Sequence, residues 1–302
     1  MYSIALKKNQ YPTYILTDQN SGARAEVVPE RGGIITHWQI NDTPLLYFDE
    51  DRFKDPSLSV RGGIPILFPI CGNLPNDTYT LGGDPKGQAY QLKQHGFARD
   101  LPWAVSDRTV ADDNDPSGGG AILKLTLESN DATRARYPFD FALNFTYRLK
   151  GQQLFLEQHF TNTGQKPMPF STGLHPYFQV NNDAKSQLNL NLPATQYINH
   201  LTQTEQPYDG TLDWNADEID IALRPVSAQQ ASVSDPSKNV SLTLSYDAAY
   251  TTLVFWAVKG KNYYCLEPWS APRNALNTGT DLITLAPGER KTLTVALSAT
   301  LA

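Results

Sequence analysis

The sequence predicts an all-β fold in which antiparallel strands stack as a sandwich, and three observations carry that prediction. Apolar residues recur with a period of two, as they must where a strand buries one face and wets the other. Helical periodicity is nearly absent. The 21 prolines and 20 glycines fall mainly between the alternating runs, where they set turns such as Gly82-Gly83 and Pro287-Gly288. Hairpin connectivity follows.

Taken in chain order, Leu123, Leu125 and Leu127 open the pattern. In the run from Phe141 to Leu149, Phe141, Leu143, Phe145, Tyr147 and Leu149 share one face, and Ala142, Asn144, Thr146 and Arg148 share the other. Leu188, Leu190 and Leu192 alternate with Asn189 and Asn191, then come Val240, Leu242, Leu244 and Tyr246, and finally Leu293, Val295 and Leu297. Leu253 to Val258 is apolar on both faces, which predicts a central strand buried between two layers. The low-complexity stretch from Asp112 to Gly120 (DDNDPSGGG) reads as a long hairpin loop and not a domain linker, because strands of the same character flank it. Residues 1–302 are therefore expected to form a single domain.

The chain has 302 residues, 40% of them hydrophobic and 19% charged, enough apolar material for a large core. A net charge of -6 argues against nucleic acid or an anionic membrane surface as partner, since both need a cationic face. A small anion held by a few converging arginines is still compatible. Cys71 and Cys265 sit in apolar runs outside any CxxC spacing and read as buried free thiols. Met1 to Asp18 lacks an apolar signal core, and no run of about 18 apolar residues occurs; a cytoplasmic setting is the expectation.

Five histidines can be weighed singly. His37 lies in the apolar run Gly33 to Ile40, His159 beside Phe160 in an alternating strand, and His200 in a polar connection; all three read as structural or solvated. His175 stands in STGLHPYF, where Pro176 biases it towards extended backbone and the following rings offer flat faces for a sugar. It is either the wall of a site or a histidine locked in a turn. His95 lies in QHGFAR, beside a glycine that permits close backbone approach and four residues before Arg99. Glu267 ends the apolar run YYCLEPW, where a carboxylate is costly to leave unpaired. Either structural donors satisfy it, or it faces a pocket in which a raised pKa serves a general base. Asp220 alternates with Ile219, Ile221 and Leu223 and so points away from their apolar face, which makes a solvated strand residue the default reading. Arg61 opens RGGIPILFP, where two glycines allow backbone and guanidinium to approach one anion, unless it is a salt-bridged turn arginine. Phosphate-binding loops of the GxxxxGK type, dinucleotide fingerprints, GxSxG elbows and HExxH helices are missing from the sequence, so nucleotide, nicotinamide, serine-hydrolase and common zinc-protease readings lack support.

In their order along the chain, VRGGIPILFP, QHGFAR, STGLHPYF and LEPWSAPRNALNTG, spanning roughly Val60 to Gly279, resemble the aldose 1-epimerase superfamily, specifically its hexose-6-phosphate mutarotase branch. The resemblance implies a galactose-mutarotase-like antiparallel β-supersandwich. It implies His175 and Glu267 as the catalytic pair, His95 as a second active-site histidine, Arg61 and Arg99 as phosphate ligands, and Asp220 as the aspartate that binds sugar hydroxyls. No cofactor and no metal are implied, and the partner is a small-molecule hexose phosphate. Opening a pyranose requires a base at the anomeric hydroxyl and an acid at the ring oxygen, roles that fall to Glu267 and His175. A free-sugar aldose 1-epimerase would use the same pair without needing two phosphate-binding arginines. A non-catalytic carbohydrate-binding protein could dispense with the pair, and a glycoside hydrolase would need Glu267 and Asp220 as two spaced carboxylates.

Overall fold

A computed structural model of the chain describes every residue except Pro85, Pro116, Ser117 and Ala302. Alternating sequence becomes alternating burial: Phe141–Lys150 is buried at each odd position and half-buried at each even one. It pairs antiparallel with Gly120–Glu128 on one side and Gln153–Asn162 on the other. The eight-stranded sheet built around it continues through Arg290–Leu301, Val240–Tyr246, Gln230–Asp235 and Asn189–Asn191, and ends at Ala104–Ala111. Because Ala104–Ala111 pairs antiparallel with Gly120–Glu128, the Asp112 to Gly120 stretch is a hairpin connection, of which Pro116 and Ser117 lie outside the described residues.

A second sheet of eight strands carries the cleft. Its order is Thr204–Pro207, Gln196–Asn199, Glu218–Leu223, Thr252–Val258, Tyr263–Trp269, Gly173–Leu174 and Ile66–Leu67, with Tyr177–Gln179 also pairing to Tyr263–Trp269. A five-stranded sheet runs from Tyr2–Lys8 through Pro12–Asp18, Ala23–Val28 and Ile34–Ile40 to Thr43–Pro44. Apolar faces of all three contribute to one core cluster that includes Ile35, Leu123, Phe145, Leu253 and Phe255. At its centre Phe68 meets Phe97, Tyr137, Phe141, Phe160 and Phe170 with ring centroids 5.1–6.1 Å apart. Each such pair adds about 0.5–1.5 kcal/mol beyond the area it buries, so the segment that begins at Arg61 is anchored deep in the core.

The strand Thr252–Val258 corrects one expectation. It is central and apolar on both faces, but only its odd-numbered face, with Leu253, Phe255 and Ala257, enters the main core. On the opposite face Val254 packs with Leu67, Cys71, Ala222 and Trp269, and Val254 and Trp256 line a cleft. That second apolar face is the floor of a site and not the contact of a further layer. Both cysteines are buried free thiols, although Cys71 lies in a bend and not a strand. Among the described residues no helix is long and apolar enough to cross a membrane.

Candidate active site

Strand register assembles the cleft. Gly173 pairs with Trp269 and Tyr177 with Cys265, so His175, midway between, falls opposite Glu267. On the other edge of the same strand Glu267 pairs with Val254 and Cys265 with Trp256, and Trp256 in turn pairs with Asp220. Since side chains alternate across a sheet, Asp220, Trp256, Cys265, Glu267, His175 and Tyr177 share one face. The approach of His175 needs a glycine at 173: a Cβ there would stand 2.8 Å from the Pro268 carbonyl and 2.9 Å from Trp269 Cδ1. Backbone bonds from His175 N to Pro65 O (3.0 Å) and from Tyr177 N to Gly63 O (2.9 Å) tie the RGGIP segment alongside.

The cleft, about 240 Å³ in volume, is lined by all six residues singled out from the sequence: Arg61, His95, Arg99, His175, Asp220 and Glu267. His175 Nε2 lies 3.3 Å from Glu267 Oε1, and Trp269 Nε1 donates to Glu267 Oε2 at 3.0 Å. The His175 ring stacks on Tyr177 at 4.7 Å and 9°. Burial pushes Glu267 well above the usual carboxylate range, further than Trp269 and the guanidiniums of Arg273 and Arg99 pull it down. Burial, reinforced by Arg99, pushes His175 down to about 3. Both directions follow from the cost of charge in a site shielded from water, so the pair favours one shared proton and no net charge.

His95 takes a left-handed backbone with φ 67°, followed by Gly96 at 71°, an unusual conformation for a residue with a side chain. Its Nδ1 accepts the Gly72 N–H at 3.1 Å, and its own N–H donates to Gly72 O at 2.7 Å. Burial and Arg99 hold its pKa far below that of a free imidazole. With Nδ1 fixed as acceptor, the neutral ring carries its proton on Nε2, available as a donor.

Asp220 is not a solvated strand residue. Its Oδ1 receives His200 Nδ1 at 2.7 Å and its Oδ2 receives Arg273 at 2.7 Å. Burial opposes its charge, but these two partners outweigh burial and lower its pKa. The three arginines of the cleft thus differ. Arg273 is paired, whereas among the described residues neither Arg61 nor Arg99 has an ion-pair partner. Arg61 lies 5.3 Å over the Trp256 ring, and Arg99 donates to the Gln94 carbonyl at 2.8 Å while its buried Nε has no partner.

The aldose 1-epimerase family profile matches residues 14–298. The chain belongs to that family. Among solved structures it is similar to the Slr1438 protein of Synechocystis sp. PCC 6803, at 45% identity and a TM-score of 0.91 over 100% of both chains. It also shares its fold with a galactose mutarotase-like protein from Clostridium acetobutylicum (18% identity, TM-score 0.81, 100% of this chain and 99% of that one). A Salmonella typhimurium relative named "Putative glucose-6-phosphate 1-epimerase" is 33% identical over 50% of this chain and 43% of its own length. A relative of the same name from Cenchrus ciliaris is 25% identical over 89% of this chain and 79% of its own length. The chain thus spans under half of the first of these relatives.

In this aldose 1-epimerase family member the partners of Asp220 lie far from it in sequence. His200, taken as structural or solvated, bonds Asp220 and stacks 6.1 Å from Trp269 at 21°. Arg273 stood inside the SAPRNALNTG motif without a role. Trp256, inside the run Leu253 to Val258 that is expected to be buried between two layers, instead lines the cleft and donates to Glu218 Oε1 at 2.6 Å. Its alternation with Phe255 was the available signal. His159 and His37 lie away from the cleft, bonded to Thr292 and Thr36.

Proposed function

We propose that this chain is a hexose-6-phosphate mutarotase, formed from a single domain, that interconverts the α and β anomers of a sugar such as glucose 6-phosphate. The observation that carries the reading is the buried 3.3 Å contact between His175 and Glu267, at the floor of a cleft that also holds two arginines, Arg61 and Arg99, without carboxylate partners among the described residues. Glu267 takes the proton of the anomeric hydroxyl as His175 gives one to the ring oxygen; the bond from C1 to the ring oxygen breaks and the C1 carbonyl forms. After rotation about C1–C2 the aldehyde recloses on its other face with the roles reversed. This requires an ionised carboxylate and an imidazolium, which burial disfavours. The substrate offsets both costs. Its anomeric hydroxyl donates to Glu267 and favours the carboxylate, while a phosphate on Arg61 and Arg99 cancels the positive field that disfavours charge on His175.

His95 donates from Nε2 to a sugar oxygen, and Asp220 accepts from sugar hydroxyls with the lone pairs that His200 and Arg273 leave free. With one donor already on each oxygen, Asp220 is better suited to fixing a sugar than to activating water for hydrolysis. The names of the Salmonella typhimurium and Cenchrus ciliaris relatives support the phosphate preference. Two free buried thiols fit a reducing cytoplasm. Anomer exchange followed by NMR on glucose 6-phosphate and glucose side by side tests the reading. Catalysed exchange with a preference for the phosphate is expected. Equal rates would assign a free-sugar epimerase, and no acceleration on either would overturn the enzymatic reading.

A further inference from the structure

We infer that His175, Cys265 and Glu267 form a latent binding site for a soft divalent cation such as zinc or cadmium, and that filling it blocks the acid/base pair. Cys265 precedes Glu267 by two residues on the strand Tyr263–Trp269, which places thiol and carboxylate on the same face. A His175 ring nitrogen, the Cys265 sulfur and a Glu267 oxygen all lie within 4.8 Å of one another, and all three residues are buried. Tetrahedral zinc holds N, O and S donors at about 2.0–2.3 Å, so its ligands stand roughly 3.4 Å apart. The 3.3 Å between His175 Nε2 and Glu267 Oε1 already meets that requirement. The sulfur has to close in by at most about 1.4 Å to complete the set.

Thiolate, imidazole and carboxylate form a donor set suited to a borderline-soft cation and poorly suited to magnesium or calcium. Three protein ligands leave a fourth position, and because His175 and Glu267 line the cleft, that position opens where the sugar ring is proposed to lie. Binding replaces the Cys265 S–H bond with a sulfur–metal bond and removes any proton held by Glu267; both protons leave to solvent. Burial pushes the free thiol well above its ordinary range, but a divalent charge reverses that balance. Arg61 and Arg99 oppose a cation, and Arg273 already offsets the charge of Asp220, so the thiolate and Glu267 themselves supply the two negative charges that neutralise the metal. Inhibition rests on the mutarotase reading above; binding does not.

Cadmium chloride titrated into the purified protein tests binding by the ultraviolet charge-transfer band of a cadmium–thiolate bond. The expected result is a band that saturates at one equivalent, persists in Cys71→Ser and is lost in both Cys265→Ser and Cys265→Ala. Two variants are used so that a folding defect in one does not decide the matter; circular dichroism and melting identify a folded one. Zinc sulfate is then expected to stop glucose 6-phosphate anomer exchange in the wild type, with recovery on adding EDTA. Cys265→Ser, which leaves the acid/base pair in place, should exchange at near wild-type rate without metal and need at least tenfold more zinc for half inhibition. A band that survives both Cys265 substitutions, or that fails to form in the wild type, overturns the site. Should the protein lack anomer exchange altogether, the cadmium band alone decides the proposal, so its failure and that of the mutarotase reading stay distinct.

Discussion

His175 and Glu267 face each other at 3.3 Å because Gly173 pairs with Trp269 and Tyr177 with Cys265, which leaves the histidine opposite the glutamate on the neighbouring strand. Two groups held so closely, one pushed down and the other pushed up, titrate as a unit. Glu267→Gln and His175→Ala are each expected to reduce kcat by about 10²–10⁴, the usual contribution of a positioned acid or base, and the double variant should lose little more than either single one. Anomer-exchange rates on the purified proteins check this, and strongly additive losses would separate the two residues.

On the proposed mechanism the same pair sets the pH dependence. With His175 pushed to about 3 and Glu267 raised well above the usual carboxylate range, the one-proton form spans the interval between. As pH falls towards 3 the pair takes up a second proton and loses its base; as pH rises through the raised carboxylate value it loses its only proton and with it the acid. The kcat/KM profile of the wild type should therefore be bell-shaped with a broad top. In Glu267→Gln the limb caused by loss of that proton should vanish.

A carboxylic acid kept neutral by burial also costs stability. The unfolded chain ionises Glu267 near the ordinary carboxylate value while the folded chain does not, so the native state holds the extra proton and stability falls as pH rises between the two values. Glu267→Gln removes that penalty and can still accept the Trp269 N–H through its amide oxygen. Its melting temperature should exceed that of the wild type at neutral pH, and the difference should shrink as pH falls below the ordinary carboxylate pKa. Each kcal/mol recovered raises the midpoint by about 2–4 °C in a chain this large. Scanning calorimetry of both proteins across pH checks the sign.

Gly173→Ala separates geometry from chemistry. The new Cβ would press on the Pro268 carbonyl and the Trp269 ring at 2.8 and 2.9 Å, and overpacking of this kind costs about 1–3 kcal/mol. Since Gly173 holds the register that sets His175 opposite Glu267, kcat should fall with the catalytic side chains intact. A variant with both stability and turnover unchanged would show that the strand spacing is not needed.

Much of this arrangement was legible in the sequence, for a definite reason. Period-two alternation reports which face a residue occupies, and it correctly turned Asp220 away from Ile219 and Ile221. It does not report what lies across that face. Water, a core layer and a cleft impose the same alternation, so Asp220 read as solvated and Trp256 as core. His200 sits 20 residues from Asp220 and Arg273 sits 53 beyond it; only strand pairing brings the three together. His200→Ala should raise KM more than it lowers kcat, because Asp220 loses one of the two donors that orient it, and Asp220→Ala should raise KM further. A fall in kcat alone would move His200 into proton transfer.

The proposed preference for a phosphorylated sugar rests on Arg61 and Arg99. Arg273 is held by Asp220 at 2.7 Å, whereas Arg61 rests on the Trp256 face and Arg99 donates to the Gln94 carbonyl. A guanidinium presents a planar fork of donors that matches phosphate oxygens, and in a chain of net charge -6 these two are the local source of attraction for a dianion. A hydrogen bond to a charged group contributes about 1.5–3 kcal/mol, so removing one arginine should weaken sugar-phosphate binding roughly ten- to a hundredfold. Free glucose, which has no phosphate to lose, should be nearly unaffected. Arg61→Ala and Arg99→Ala are therefore expected to raise KM for glucose 6-phosphate and shrink its advantage over glucose, while kcat on glucose, which reports His175 and Glu267, is kept. Lysine at either position should recover part of the affinity, since it restores the charge without the fork. Equal losses on both sugars would instead make the arginines supports of the cleft wall, and the free-sugar epimerase would become the better reading.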